Sequence, residues 1–174
     1  MPQIIVTPLS AVPAAIKQHR PSHMVTLLSP EHMIETPDGI LASQHLKLGM
    51  NDIAEARMGD APPAAAHVAS LIEFGRGWSG RDPMLVHCWA GISRSMAATF
   101  VILTDRLGAG SEMEIARAMR FRAPHAYPNR LIVQLADHAL QRQGRMVEAI
   151  EAIGSGTIVA EGQVVAFPIA RREL

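Results

Sequence analysis

Two apolar runs, Met84-Leu85-Val86 and Met96 to Leu103, flank the stretch His87-Cys88-Trp89-Ala90-Gly91-Ile92-Ser93-Arg94-Ser95. No other feature limits the fold of this chain so strongly. The first run is short and follows the turn Arg81-Asp82-Pro83, so it reads as a buried strand. The second belongs to a segment, 95–106, that is apolar almost all round and rich in good helix formers, so it reads as a central, buried helix. Only a tight loop fits between them.

Such a loop turns backbone N–H groups and a helix N-terminus toward one point, which makes an anion site by geometry. The chain's one cysteine, Cys88, enters that site at the strand end, and Arg94 leaves it in the first helical turn. A thiol is a useful nucleophile as thiolate, a form that a helix N-terminus and a guanidinium both favour. The five residues between Cys88 and Arg94 are enough to curl around a tetrahedral anion. Arg94 can hold two oxygens in a fork while the amides of Trp89, Ala90, Gly91, Ile92 and Ser93 take the rest. Gly91 reaches backbone angles closed to other residues. Ser95 can donate a hydrogen bond toward the sulfur, and His87 can buttress the loop from behind.

The residues His87, Cys88, Gly91, Arg94 and Ser95, spaced His-Cys-x-x-Gly-x-x-Arg-Ser, resemble the phosphate-binding loop of the cysteine-dependent protein tyrosine phosphatase superfamily. The wider string Leu85 to Ser95 most resembles the compact dual-specificity branch. The segment Arg122-Ala123-Pro124-His125-Ala126-Tyr127-Pro128-Asn129 is similar to the arginine, proline and Pro-Asn pattern of that branch, which extends the resemblance to roughly residues 45–140. The resemblance implies a phosphatase-like α/β fold and metal-independent hydrolysis of phosphate monoesters through a cysteinyl-phosphate. It also implies that Ser95 speeds breakdown of that intermediate and that the substrate is a phosphorylated protein or a small phosphate ester. In that family the Pro-Asn segment packs on the phosphate loop; Asn129 equally fits the N-cap of a helix beginning near Arg130.

In chain order, Gln3 to Thr7 predicts a first strand ended by Pro8, and Ser10 a cap for a helix over Ala11 to Gln18, with Pro13 in its first turns. Met24 to Leu28 predicts the next strand, 30–40 a turn-rich loop, and His45 to Met50 a strand by its alternation. Pro62 and Pro63 open a helix with Val68, Leu71, Ile72 and Phe74 on its core face, which Gly75, Gly77 and Gly80 end. Ser111 and Glu114 have capping-box spacing for a helix to about Phe121. A helix from Arg130 carries Leu131, Leu135, Ala139 and Leu140 as its stripe, and one more contains Met146, Val147, Ile150 and Ile153. This alternation predicts an α/β fold with a mostly parallel central sheet and helices on both faces. Residues 1–154 form a single catalytic domain on this reading, and 155–174 a β-rich tail. In the tail, Glu161-Gly162 is a turn signal, so it adds either a strand or a hairpin.

Asn51-Asp52 follows a strand end, where open α/β sheets gather ligands. Transfer of a phosphoryl group to Cys88 expels an alkoxide or phenoxide that a carboxylic acid protonates, after which the carboxylate activates water. In dual-specificity phosphatases a comparable aspartate closes the strand upstream of the cysteine loop; Asp52 matches it by pattern, with Glu55 and Asp60 as rivals.

Formal charge is zero, which gives no push toward nucleic acid or an acidic membrane surface. One cysteine forms no internal disulfide and fits a reducing, cytoplasmic setting. No apolar run is long enough to span a bilayer. His19 and His23 are the only i, i+4 histidine pair and lack a third ligand, so neither metal nor cofactor is expected. Positions 89–93 bring no lysine or arginine, which favours singly phosphorylated groups, and Trp89 can line the pocket mouth. Tyrosine-only and dual specificity both stay open, as does a small-metabolite phosphatase. A phosphoryl-binding module without turnover is the reading from another class, and the presence of both Cys88 and Arg94 argues against it.

Overall fold

The computed structural model describes residues 3–173; Met1, Pro2 and Leu174, at the outer ends of the two ranges assigned above, lie outside the described residues. Five strands form one sheet in the order β3-β2-β4-β1-β5. These are β1 (Gln3–Pro8), β2 (His23–Leu28), β3 (His45–Gly49), β4 (Met84–Cys88) and β5 (Val165–Pro168). The first four run parallel, and β5 joins the edge of β1 antiparallel. β4 is central and all five of its residues are buried.

The period of two along each strand divides the core. Ile5, Met24 and Leu85 face one side with Val12 and Ala15 of helix α1 (Val12–His19) and with Ile40. Ile4, Val6, Val25, Leu27, Met84 and Val86 face the other, against a larger helical layer. That layer holds α2 (Ala65–Gly77), α3 (Arg94–Leu107), α4 (Glu112–Arg122), α5 (Arg130–Ala139) and α6 (Arg145–Ala152). Helix α3 packs on β1, β2 and β4. Every residue from Arg94 to Thr104 is buried, as its nearly continuous apolar sequence requires.

Several local expectations differ from the structure. Ser10 does not cap α1; it lies in a 3₁₀ turn and its hydroxyl donates to Glu161 of the tail. Ser111 precedes α4 without capping it, because its hydroxyl donates to Gly108 O (2.6 Å), while Glu112 takes the Gly110 N–H (2.8 Å). Helix α2 starts beyond the two prolines, with His67 Nδ1 accepting from the Ala64 N–H (3.1 Å). Gly75 lies inside α2, where a Cβ would meet Ile102 at 3.3 Å, so it sets close helix packing and not a helix end. The buried face of α5 is Ile132, Val133 and Ala136, and Ala139 is exposed.

The tail adds one strand and no hairpin. Ile158 and Val159 stay in irregular, exposed chain, and Phe167 of β5 is buried in the main core. The edge of β1 that would otherwise be bare is thereby paired.

Candidate active site

Parallel ladders to β1 and β2 on its two sides fix the end of β4, and with it Cys88. Residues 89–93 then form a loop, and α3 begins at Arg94. Gly91 has φ +71°, and a Cβ there would stand 2.8 Å from Pro8 N and 3.0 Å from Thr7 C. Only glycine satisfies both the left-handed angle and that close approach to the end of β1.

The loop carbonyls are held from outside by distant segments. Trp89 O accepts from Leu9 N (3.1 Å), Ala90 O from Gly162 N (2.8 Å), Ile92 O from Tyr127 N (2.9 Å), and Ser93 O from Asn129 N (3.3 Å) and Ala97 N (2.9 Å). In a trans peptide the N–H points opposite to the C=O. Holding the carbonyls outward therefore turns the following amides inward. Among the described residues, no amide from Trp89 to Ser95 donates to a protein acceptor in these turn, cap and loop contacts. Cys88 Sγ, at the start of the loop, meets Ser95 Oγ at 3.2 Å.

Arg94 is 5% exposed. Its Nη1 donates to Met50 O (2.7 Å), so the residue just past β3 steers the guanidinium. Its Nε has no hydrogen-bond partner and lies 3.8 Å from Asp52 Oδ2. A buried guanidinium with an unused donor, at the end of a loop whose amides are unpaired in these contacts, offers the donors that an anion needs.

Asp52 stands at the rim, its Oδ1 accepting from Ser93 Oγ (2.7 Å) and Asn129 Nδ2 (2.8 Å). Asn129 Oδ1 in turn accepts from Ile132 N (3.0 Å) and caps α5. One asparagine thus caps a helix, braces the loop through its backbone and orients Asp52 through its side chain. Glu55 pairs instead with exposed Arg57 (2.7 Å), and Asp60 is exposed, its backbone carbonyl taken by Asn51 Nδ2 (2.9 Å). Of the three acids in this segment, Asp52 is the one in contact with the loop.

His87 lies behind the loop and is fully buried. Its Nδ1 lies 3.3 Å from Cys88 O and its Nε2 2.7 Å from Thr26 Oγ1. Thr26 Oγ1 also lies 2.7 Å from His45 Nε2, and His45 Nδ1 lies 2.9 Å from Thr36 Oγ1. Burial pulls both imidazoles down to about 4; Lys47 adds to this at His45, and His45 and Arg94 add to it at His87, against the opposing pull of the Cys88 carbonyl. Both rings are neutral at pH 7.

Trp89 is 55% exposed at the opposite rim, its ring centroid 5.4 Å from that of His32. A groove of about 520 Å³ opens beside Asp52 and Ser93, walled by Tyr127, Pro128, Ile150 and the Arg130–Glu151 pair. Among the described residues, no group of three or more His, Cys, Asp or Glu is placed to hold a metal ion, and no helix is long and apolar enough to cross a membrane.

The structure thus brings together Cys88, the 89–93 loop, Arg94, Ser95, Asp52 and Asn129, with His87 behind them. Sequence reasoning missed Thr26, His45, Thr36, the Met50 carbonyl and Gly162. A threonine inside the apolar strand Met24 to Leu28 was the available signal, since a buried hydroxyl needs a partner.

No protein-family model matches the chain, and no curated protein matches it by sequence. Solved structures do. DUSP15 aligns at 17% identity over 88% of each chain with a TM-score of 0.60. The human tyrosine phosphatase-like serine/threonine/tyrosine-interacting protein aligns at 18% identity over 80% of this chain and 91% of its own, with a TM-score of 0.59. PTPMT1 in complex with PI(5)P aligns at 15% identity over 88% of this chain and 93% of its own, with a TM-score of 0.58. The chain shares its α/β fold with these phosphatase and phosphatase-like structures, the fold that the resemblance of its loop implies.

Proposed function

We propose that the protein is a metal-independent phosphatase of phosphate monoesters. One observation carries the reading: among the described residues, the amides of the loop that follows Cys88 donate to no acceptor in the turn and loop contacts, and the buried Arg94 Nε at the end of that loop has no hydrogen-bond partner. A phosphate dianion supplies the missing acceptors and presents phosphorus to the thiolate.

In the first step the Cys88 sulfur attacks phosphorus, an S–P bond forms and the ester P–O bond breaks. Asp52 gives its proton to the departing oxygen. In the second step water attacks phosphorus and Asp52 takes up its proton. The S–P bond breaks as Ser95 donates a hydrogen bond to the leaving sulfur. Arg94 and the loop amides hold the equatorial oxygens throughout, where charge accumulates.

The absence of lysine or arginine at 89–93, and the pairing of the groove's Arg130 with Glu151, favour singly phosphorylated substrates, phosphotyrosine first. The body of the substrate leaves the loop past Asp52, toward the groove walled by Tyr127 and Ile150. Among the proteins that share the fold, PTPMT1 was solved with PI(5)P bound. A phosphorylated lipid headgroup therefore belongs in the test panel beside phosphopeptides and small phosphorylated metabolites.

The test is hydrolysis of an aryl phosphate in excess chelator by the parent and by Cys88→Ser. Turnover that survives chelation and is lost in the variant is the expected result. Binding is read separately, from Trp89 fluorescence as inorganic phosphate is added to Cys88→Ser, Trp78 being buried. A folded parent that neither hydrolyses any ester in the panel nor binds phosphate refutes the reading; binding without turnover leaves the phosphoryl-binding module.

A further inference from the structure

The carbonyl of Cys88 is the one loop carbonyl held from inside the sheet. Those of Trp89, Ala90, Ile92 and Ser93 are gripped by backbone amides, whereas this one faces His87 Nδ1 at 3.3 Å. Behind His87 the contacts continue through Thr26 and His45 to Thr36, at 2.7, 2.7 and 2.9 Å. The row crosses β4, β2 and β3 and ends at the half-buried loop before β3.

A carbonyl oxygen only accepts, and that fixes the direction of the whole row. His87 must carry its proton on Nδ1 to donate to Cys88 O. Its Nε2 is then an acceptor, and Thr26 must donate to it. With its one proton so placed, Thr26 Oγ1 accepts from His45 Nε2–H. His45 Nδ1 is left as an acceptor, and Thr36 donates to it. Every group is satisfied with both rings neutral, and reversing the row would set a bare His87 Nδ1 against the carbonyl.

We propose that Thr26 and His45 are positioning residues for the phosphate loop, acting through His87 to hold the Cys88 carbonyl and so aim the Trp89 amide at the bound phosphate. The role rests on the anion-binding reading of the loop given above. Thr26 fixes which nitrogen of His87 bears the proton, and His45 fixes the direction in which Thr26 donates. Without them His87 exchanges tautomers, and the peptide plane between Cys88 and Trp89 loses its anchor. Neither residue touches the substrate.

The experiment exploits the single cysteine. Iodoacetamide labels one site per chain, and protection by inorganic phosphate at a fixed pH gives the phosphate dissociation constant. Thr26→Val keeps the shape and removes the hydroxyl; Thr26→Ser restores the hydroxyl; His45→Phe reads the row one contact beyond Thr26, on the edge strand β3. Thr26→Val is expected to weaken phosphate about fivefold, the loss associated with one aligning hydrogen bond. Thr26→Ser is expected to recover most of that loss, and His45→Phe to show a smaller loss of the same sign. A parent protected by phosphate, with folded Thr26→Val and His45→Phe protected equally well, overturns the relay and leaves the phosphatase reading standing. A parent that phosphate does not protect overturns both. Should Thr26→Val not fold, His45→Phe against the parent decides the question, because a merely structural role moves the melting temperature and not the affinity of the folded fraction.

Discussion

Acidification is expected to destabilise the fold between pH 7.5 and pH 5 through the two buried imidazoles, and His45→Gln isolates half of the effect. Each ring has a folded value of about 4, set mainly by burial, against about 6.5 in the unfolded chain. The unfolded chain therefore binds more protons than the native one between these values, and stability is lost as pH falls from 6.5 toward 4. Integrated from pH 7.5 to pH 5.0, the loss is about 2 kcal/mol for each ring. Below pH 4 the contribution is spent. Lys47 works against protonation of His45, and Arg94, with His45 once charged, works against protonation of His87.

The assay is equilibrium urea unfolding at pH 7.5, 6.5 and 5.0, followed by far-ultraviolet circular dichroism. His23, His67 and His125 are also held below the ordinary histidine value by burial and contribute to both proteins alike. The informative quantity is therefore the difference between parent and variant. His45→Gln starts from a lower stability at pH 7.5, because it disturbs contacts to Thr26 and Thr36, and it then loses about 2 kcal/mol less than the parent on going to pH 5.0. Against a typical domain stability of roughly 5–15 kcal/mol, that difference is readily measured. Parallel pH curves for the two proteins would refute the assignment of His45 as a buried neutral ring.

Three further outcomes are expected. Asp52→Asn lowers kcat by about 10²-fold or more and removes the limb of the pH–rate profile that reports the proton donor, whereas Asp60→Asn keeps that limb; the reverse pattern would move the acid to Asp60. Gly162→Ala places a Cβ 2.6 Å from His125 Nε2 and 3.0 Å from Gly91 O, so it is expected to destabilise the protein by about 1–3 kcal/mol and to weaken phosphate protection of Cys88, while Gly77→Ala, with nothing within 4 Å, leaves protection unchanged. Deleting residues 156–174 strips β5 from β1 and Phe167 from the core, and sedimentation is expected to show self-association through the bared edge; a monodisperse, fully soluble product would count against that.

What the sequence made legible follows from how local each feature is. Cys88, Gly91, Arg94 and Ser95 lie within one strand–loop–helix unit, so spacing alone brings them to one point. Asp52 was legible because it follows closely on the end of a strand of the parallel sheet, and Asn129 because a helix start needs a cap. Caps themselves were read less well. Ser111 stands at the N-cap of α4 but its hydroxyl goes to Gly108 O, and Ser10 stands one residue before the N-cap of α1, in a 3₁₀ turn, with its hydroxyl on Glu161. Gly162, read as part of a turn signal, is a point of close approach: its N–H reaches Ala90 O, and a side chain there would strike His125. No periodicity announces such a contact across the length of the chain. The row Thr36-His45-Thr26-His87 is equally silent, since its members come from three strands and a loop and meet only once the sheet order is known.

The same distinction separates having the motif from having the site. A Cys-x₅-Arg spacing brings a thiol and a guanidinium near one another, but the amides between them bind an anion only if each peptide plane is turned inward. That orientation is imposed from Leu9 after β1, Tyr127 and Asn129 between α4 and α5, Gly162 in the tail, and His87 behind the loop. These grips are separated in sequence by most of the chain, and each holds a different carbonyl. Anion affinity is therefore a property of the assembled fold, and cutting one grip is expected to weaken phosphate in graded steps without abolishing it. On the proposed mechanism, loss of Cys88 is instead expected to end turnover outright and to leave phosphate binding in place. Graded loss at the grips together with all-or-none loss at the sulfur would separate the residues that shape the cradle from the one that performs the chemistry.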